Sequence, residues 1–188
     1  MSFARISFSV AALALMSLPA LAQQKLLPEQ SEIAFVARQM GVPLEGKFRK
    51  FDAQISFDVA KPQTSKIAFT VDVGSATLGS RETDAELPKA PWFNVPKFPQ
   101  ATFQSSSVKA LGGGKFEVAG QLTIKGTARD VVVPVALTQS GTVTTATGTL
   151  PLKRLAFKIG ENEWADTSMV ADDVQVKFKL ALSGVAKL

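Results

Sequence analysis

The side chains that carry out most hydrolytic and redox chemistry are missing from this sequence. It contains no histidine, no cysteine and no tyrosine. Without them, the chain lacks the usual nucleophile–base pairs, the commonest zinc and haem ligands and the usual proton shuttle at neutral pH. Its serines have neither a G-x-S-x-G elbow nor a histidine to activate them. The sequence therefore favours a protein that is not an enzyme.

Carboxylates are the reactive groups that remain. Glu161, Glu163 and Asp166 lie within six residues of one another, and oxygen ligands in such a cluster suit Ca²⁺. However, their spacing does not complete an EF-hand loop, so we interpret the segment as a solvated hairpin tip and predict no metal site. Asp172 and Asp173 are a weak acid–base pair, because adjacent residues of a strand point to opposite faces.

Several cations have two interpretations. Arg81 precedes Asp84 by three residues, a spacing that allows an ion pair across one helical turn. Alternatively, Arg81 orients a polar or phosphate head group at a cavity mouth. Arg154 and Lys158 also have two interpretations: they are cations at a rim that face a ligand head or, as we favour, that are solvated. Lys125, in a Lys-Gly turn, is predicted to be exposed.

The elements that must position these groups are β-strands. Apolar and polar residues alternate most regularly from Lys66 to Val73 and from Val174 to Leu182. About eight such strands follow one another at short spacing, with one helical insert that Ser80 caps and that Pro88 and Pro91 end. No repeat or linker divides them. The sequence therefore predicts one all-β, antiparallel domain, either a closed barrel or a sandwich.

Phenylalanines recur on the apolar faces of these strands, and the chain contains 13 of them. Phenylalanine is among the residues most often buried, so composition alone favours an ordinary packed core. A barrel of about eight strands can fill its interior with side chains or hold one small ligand. Alternation does not distinguish these two cases.

The first residues have the pattern of a secretory signal. Arg5 precedes an apolar run from Ile6 to Met16, and Ala20-Leu21-Ala22 follows Pro19. The run is too short for a membrane span and ends like a signal peptidase site. We therefore expect residues 1–22 to be a signal peptide cleaved after Ala22, residues 23–188 to be the mature domain, and its location to be the periplasm.

The net charge of +5 is modest. No basic run interleaved with aromatic residues accompanies it, so we expect no nucleic-acid partner. Weak, transient attraction to an anionic membrane surface is compatible with this charge.

Two stretches, taken in this order, identify a family. Pro91–Phe103 is an aromatic, proline-bounded connector into a strand, and Gly120–Leu137 is a strand, a Lys-Gly turn and a second strand around Pro134. Smaller matches accompany them at Gly46–Phe48, Phe57-Asp58, Ser75–Thr77, Phe157–Gly160 and Glu163-Trp164. From Ser31 to Leu182 the chain resembles the YceI-like family of periplasmic proteins. The resemblance implies an antiparallel, lipocalin-like β-barrel of about eight strands, whose bore in some members holds an isoprenoid chain.

The resemblance implies a periplasmic, non-enzymatic carrier with a long apolar ligand in its bore. An isoprenoid, a quinone or a polyprenyl lipid is the first choice of ligand and a fatty acyl compound the second, with no further cofactor. The expected bore wall consists of Phe35, Phe48, Phe57, Phe69, Val71, Phe103, Leu122 and Ile124. The expected lid or mouth consists of Arg81, Leu87, Trp92 and Phe93.

The chain departs from the family pattern at two places. Many members carry one histidine in the first strand region and another in the helical insert, where this sequence has Gln39-Met40-Gly41 and Asp84–Leu87. Any head-group or metal contact of those histidines is therefore not expected here. The apolar bore is unaffected, because it depends on the alternation of the strands.

Two other classes of protein stay open. The chain could be an accessory protein that docks a membrane redox partner such as a b-type cytochrome and has a filled core. Least favoured is a lipid-modifying enzyme that uses a pair of inward-facing carboxylates with perturbed pKa values. A homodimer is compatible with each of the three functions.

Overall fold

The computed structural model describes residues 24–188. The expected signal peptide lies outside this range. Among the described residues, no helix combines the length and the apolar character needed to cross a bilayer.

Eleven strands form one antiparallel sheet. In chain order they are β1 (Lys25–Leu26), β2 (Glu32–Gln39), β3 (Val42–Phe48), β4 (Phe51–Ser56), β5 (Lys66–Asp72), β6 (Ala76–Thr77), β7 (Gln100–Gly112), β8 (Lys115–Ile124), β9 (Thr127–Ser140), β10 (Val143–Lys153) and β11 (Asp173–Ser183). The predicted all-β, antiparallel fold is confirmed. Only β1 and β6 escaped prediction, because two residues are too few to show alternation.

The sheet curls into a half-barrel. Its strand order is β4-β5-β7-β8-β9-β10-β11-β2-β3-β6, so β7 to β11 follow one another as neighbours and β11 then pairs with β2. Residues of β2 and β11 alternate between the two faces, with Ile33, Phe35 and Leu180 buried on the inner face. Curling turns these apolar faces towards one another and forms the interior.

β1 lies between β11 and β4, the first strand in the strand order. β3 and β4 are consecutive in the chain, but β4 begins the strand order and β3 is next to its other end. β1 pairs with the end of β11, where Leu26 is opposite Leu182. The side chain of Gln24 donates through Nε2 to the carbonyl of Phe57 at 2.7 Å and accepts from its amide through Oε1 at 2.8 Å. A carboxamide carries both a donor and an acceptor. The Gln24 side chain therefore makes the two backbone hydrogen bonds at Phe57 that a residue of an adjacent strand would make there.

The predicted helical insert is α1 (Arg81–Glu86), between β6 and β7. Ser80 stands at its N-cap, but its side chain makes no capping bond. The predicted Arg81–Asp84 pair is also not among the ion pairs of residues 24–188. Instead, the Asp84 carboxylate accepts bonds from Thr77 Oγ1 and from the Leu78 amide, both at 2.6 Å. These two bonds hold the pKa of Asp84 below its ordinary value, and the bond from Thr77 has the larger effect.

Short 3₁₀ helices lie in the other connections. They span Pro28–Gln30, Pro62–Thr64, Val73–Ser75, Arg154–Phe157 and Asn162–Ala165. The last two lie between β10 and β11, so the acidic segment 161–166 is not the hairpin tip that we predicted.

Three phenylalanine rings lie directly against glycines of neighbouring strands. The pairs are Phe35 on Gly46, Phe178 on Gly148 and Phe103 on Gly120. A Cβ added to Gly46 would lie only 2.2 Å from Cζ of the Phe35 ring, which is directly opposite on β2. Because these glycines have no side chain, the rings can lie along the sheet rather than project into the half-barrel.

Candidate functional site

The interior of the half-barrel contains two apolar cavities. Chamber 1 has a volume of about 200 Å³, and its wall includes Phe57, Phe69, Phe103, Phe116 and Phe178. Thr102 and Thr144 are the only residues with polar side chains in that wall, as far as the structure describes the chain. Such a wall offers a ligand little besides dispersion contacts and exclusion from water.

Chamber 2 has a volume of about 270 Å³ and lies against α1 and the connectors around it. Its apolar wall includes Phe35, Phe48 and Leu87. It differs from chamber 1 in its polar residues, which are Gln39, Thr83, Glu86 and Arg154.

The two chambers meet at a shared girdle of side chains. Ile33, Val71, Ala101, Leu122, Leu150 and Val176 line both of them. An apolar cavity of about 150 Å³ lined by Leu, Ile and Phe stays dry and binds benzene. Each chamber is larger than that, and together they suit a ligand much longer than one ring.

All eight residues predicted for the bore wall lie in the walls of these chambers. Phe57, Phe69 and Phe103 line chamber 1; Phe35, Phe48 and Ile124 line chamber 2; Val71 and Leu122 line both. Of the predicted mouth residues, Leu87, Trp92 and Phe93 line chamber 2. Arg81 is exposed and lines neither. Contact of these residues with a ligand stays a prediction.

Arg154 is a structural residue that sequence reasoning misplaced. We predicted a solvated cation, but its exposed fraction is 3%. Its five N–H groups donate to five backbone carbonyls, those of Ile159, Gly160, Trp164, Val170 and Ala171, at 2.6–3.0 Å. Burial lowers the pKa of the Arg154 guanidinium, and the charge of Asp172 acts in the opposite direction. Arg154 therefore holds the connector between β10 and β11 against chamber 2.

Lys125 is also buried, contrary to its predicted exposure in the Lys-Gly turn. Its Nζ donates to the carbonyls of Ala90 and Lys158, each at 2.7 Å, and to Oε2 of Glu161 at 2.8 Å. A longer bond of 3.2 Å reaches the carbonyl of Pro91. Short turns usually face water, which is why the sequence predicts exposure, whereas here two connectors pack over this turn.

These contacts join the two stretches that carry the family resemblance. Lys125 bonds to the backbone at the start of the Pro91–Phe103 connector. The next residue, Gly126, has a φ of +73°, and a Cβ there would lie 2.7 Å from Cε1 of Phe98. A side chain at Gly126 would therefore be strained and would displace the Phe98 ring. The connector is thus fixed onto the β8–β9 turn, which places Trp92 and Phe93 on chamber 2.

The acidic segment has structural partners. Glu161 pairs with Lys125, and Oδ1 of Asp166 accepts bonds from the amide and the hydroxyl of Ser168. Within residues 24–188, no group of three or more His, Cys, Asp or Glu side chains is placed to hold a metal ion. Trp164 of this segment lines chamber 2, where its ring centroid lies 5.4 Å from that of Trp92.

The family model of the YceI-like domain matches residues 25–182. This chain belongs to the YceI-like family. The crystal structure of Burkholderia cenocepacia BcnA is 46% identical, with a TM-score of 0.81 over 83% of this chain and 98% of that chain. The match to a UPF0312 protein of Ectopseudomonas mendocina is 39% identical over 90 residues, 48% of this chain, and spans about half of that relative (47%).

A more distant structure shows the same fold. A polyisoprenoid binding domain from Saccharophagus degradans, implicated in plant cell wall breakdown, has a TM-score of 0.69 at 15% identity. The match covers 86% of this YceI-like chain and 98% of that domain. The family resemblance and the lipocalin-like architecture read from the sequence are thereby confirmed.

The two places where this YceI-like chain lacks the expected histidines lie at one chamber. Gln39, Glu86 and Leu87 all line chamber 2. The Glu86 carboxylate forms an ion pair with Nζ of Lys89, whose side chain is half-exposed. The charge of Glu86 therefore has a partner three residues along the chain. The departures thus alter the polar side of chamber 2 and leave chamber 1 unchanged.

Proposed function

We propose that this YceI-like domain is a periplasmic carrier that holds one long apolar molecule of the isoprenoid class across chambers 1 and 2. The observation that carries the proposal is the shared apolar girdle, whose side chains line both chambers and place them next to one another. The signal-like residues 1–22 support export. The likeness in fold to a polyisoprenoid binding domain supports the class of ligand.

The energetics favour a long ligand over a short one. Each methylene transferred from water to an apolar wall contributes about 0.8 kcal/mol. Association costs at least several kcal/mol whatever the length of the ligand. An isoprenoid of several units exceeds that cost, whereas a short hydrocarbon does not.

Binding fits these walls better than catalysis does. Glu86 is the single carboxylate residue among the described residues that line the two chambers. The pair of inward-facing acids that a carboxylate enzyme needs is therefore not found along these walls. The cavities also disfavour the accessory-protein alternative, which expects a filled core.

Denaturing organic extraction of the exported, purified protein, followed by mass spectrometry, tests the proposal. We expect about one mole of isoprenoid per mole of protein. An unrelated exported protein, purified and extracted in parallel, is the control for lipid carried over from the membrane. An empty extract, obtained again after incubation with membrane lipid vesicles, would overturn the proposal and favour the docking protein.

We further propose that the domain exchanges its ligand at a membrane surface through an exposed apolar patch beside chamber 2. The patch consists of Met40, Val42 and Met169, whose exposed fractions are 76%, 61% and 43%. The Met40 amide donates to the Met169 carbonyl at 2.8 Å, so the two loops are in contact. Their neighbours Gln39 and Val170 form a β-bridge and line chamber 2.

The double variant Met40→Asp/Met169→Asp is expected to take up isoprenoid from anionic vesicles roughly tenfold more slowly, because it loses apolar contact worth about 1.4 kcal/mol or more and gains repulsion. The measurement is transfer of a fluorescent prenyl lipid from vesicles to protein. Leu111→Asp, which changes a similarly exposed residue of β7 outside both chamber walls, is the control and should keep its rate. Equal slowing in both proteins would contradict the assignment of this patch.

The homodimer stays a prediction that sedimentation velocity can test.

A further inference from the structure

An inward-facing glutamine lies at one end of chamber 1. Gln139 belongs to β9, and on this strand chamber 1 is lined at every second position by Val133, Val135 and Leu137. Gln139 continues that series, so its side chain points to the same interior. Thr144 is opposite Gln139 on β10, is fully buried and also lines chamber 1. Nε2 of Gln139 donates to Oγ1 of Thr144 at 3.0 Å.

The other partners of Gln139 come from residues 184–188, which follow β11. Nε2 of Gln139 also donates to the carbonyls of Ala186 and Val185, at 3.3 and 3.4 Å. Oε1 of Gln139 accepts from the Leu188 amide at 3.2 Å. One carboxamide therefore holds three backbone groups of this segment, because it is both a donor and an acceptor.

Residues 184–188 cross the inner face of the sheet. The chain turns after β11 at Gly184, which has a φ of +76°. β10 lies between β11 and β9, so the chain passes over β10 to reach Gln139. Since Gln139 and Thr144 both face inwards, this crossing lies inside the half-barrel. Residues 184–188 thus cover the end of chamber 1, and we call them the floor segment.

Val185 is the side chain through which the floor segment meets the cavity. It is buried and lines chamber 1. It packs in one cluster with Leu26, Leu180 and Leu182. The methyl groups of Val185 are therefore part of the closed end of the cavity.

β11 shows that this end is remote from chamber 2. Val174 lines chamber 2, and Val176 lines both chambers. Phe178, Leu180 and Leu182 then line chamber 1. At about 3.3 Å per residue, Leu182 lies roughly 25 Å along the strand from Val174. An apolar chain that extends from chamber 2 through the girdle therefore meets the floor segment last.

We infer that the floor segment is a length stop: Val185, held in place by Gln139, sets the longest apolar chain that the interior accepts, whatever polar group the chain carries. The inference rests on the proposed function and deepens it. A chain that fits exchanges a bilayer for an apolar wall at little cost. Each methylene that the floor segment excludes loses its burial, which is a roughly fourfold penalty in affinity.

A length series tests the stop in the wild-type protein. Phosphatidylcholine vesicles contain equal amounts of linear prenols that differ by one isoprene unit. The protein is incubated with them and separated, and the prenols it retains are extracted and counted by mass spectrometry. Retention relative to the vesicles is expected to stay level up to one length and then to fall at least tenfold for each further unit.

Substitutions at Val185 should move this limit in opposite directions. Val185→Ala removes two methyl groups from the end of the cavity, so the ratio of the first excluded prenol to the last accepted one should rise roughly tenfold. Val185→Phe fills the end and should lower retention of the last accepted prenol by a similar factor. Val118→Ala is the matched control, because it removes the same two methyl groups from a buried residue of chamber 1 on β8 and should keep the wild-type limit.

The hold of Gln139 is tested separately from the bulk of Val185. Gln139→Met keeps a similar side-chain length but loses the carboxamide, so the floor segment is released and the first excluded prenol should be retained roughly tenfold better. Gln104→Met changes an exposed glutamine of β7 and should leave the limit unchanged.

The outcomes separate this inference from the proposed function. If the wild-type protein retains no prenol of any length, the carrier function fails and the length stop fails with it. If it retains prenols without an upper limit, the length stop alone is wrong, and this result does not depend on the folding of any variant. A limit that stays in place in folded Val185→Ala and Gln139→Met proteins would likewise overturn the inference while the carrier function stands.

Discussion

Replacing Arg154 with methionine is expected to lower the free energy of unfolding by about 4 kcal/mol, because buried carbonyls lose charged donors. Five carbonyls between Ile159 and Ala171 depend on this guanidinium. None of the five accepts one of the turn and loop backbone bonds instead. Methionine keeps much of the side-chain length but supplies no donor, so the connector that carries Trp164 and Val170 should separate from the wall of chamber 2.

Thermal unfolding followed by circular dichroism measures this loss. For a domain of this size, about 4 kcal/mol corresponds to a fall in Tm of roughly 8–16 °C. Arg129→Met is the matched control, because exposed Arg129 makes one carbonyl bond, from Nε to Ala156 at 3.0 Å, and should change stability by less than about 1 kcal/mol. Arg154→Lys should recover only part of the loss, because an ammonium has three donors. Equal Tm values for Arg154→Met and Arg129→Met would contradict the structural role of Arg154.

Gly46→Ala is expected to weaken lipid binding. In the wild-type protein the Phe35 ring lies flat against Gly46, and the substitution would push this ring into chamber 2. The new Cβ would overlap Cζ, Cε1 and Cε2 of Phe35, all within 2.8 Å, so the ring must move. Phe35 lines chamber 2, and there the displaced ring takes space from the ligand. If it excludes three methylenes at about 0.8 kcal/mol each, affinity falls roughly fiftyfold.

A second substitution should reverse this effect. In Gly46→Ala/Phe35→Leu the side chain that clashes is shorter, so lipid retention should return towards that of Phe35→Leu alone. Retention is measured by extraction and mass spectrometry, and Tm is recorded beside it, because overpacking costs about 1–3 kcal/mol of stability. Undiminished lipid binding by a folded Gly46→Ala protein would show that the position of the Phe35 ring does not control the size of the chamber.

Short-range patterns predict every strand except the two-residue β1 and β6, and they predict which side chains of the longer strands face inwards. In β5, the large apolar residues Ile67, Phe69 and Val71 alternate with small or polar residues, and all three line chamber 1. A period of two residues fixes the face of every side chain once one face is buried. The open cavity itself could not be predicted, because it depends on pairs such as Phe35 and Gly46, which meet only after β2 and β3 pair.

The misplaced residues share a physical cause. Arg154 and Lys125 are long, charged side chains in connectors, and the usual expectation for such residues is solvent. Their burial is stabilised by backbone carbonyls, which come from later residues of the same connector for Arg154 and from other connectors for Lys125, such as that of Ala90. No local pattern marks a carbonyl as unpaired, so these partners become visible only in the folded chain.

The pairing of β1 with β11 has a consequence for the order of events during folding. Leu26 lies opposite Leu182, and the Ala181 amide donates to Oγ of Ser31, 150 residues away, at 2.9 Å. During synthesis or export from the N-terminus, these contacts must wait for β11, the last strand. Contacts of such long sequence separation slow folding, because loop-closure entropy is lost before they form. A nascent chain therefore has an incomplete wall and no enclosed interior, and lipid loading must follow completion of the polypeptide.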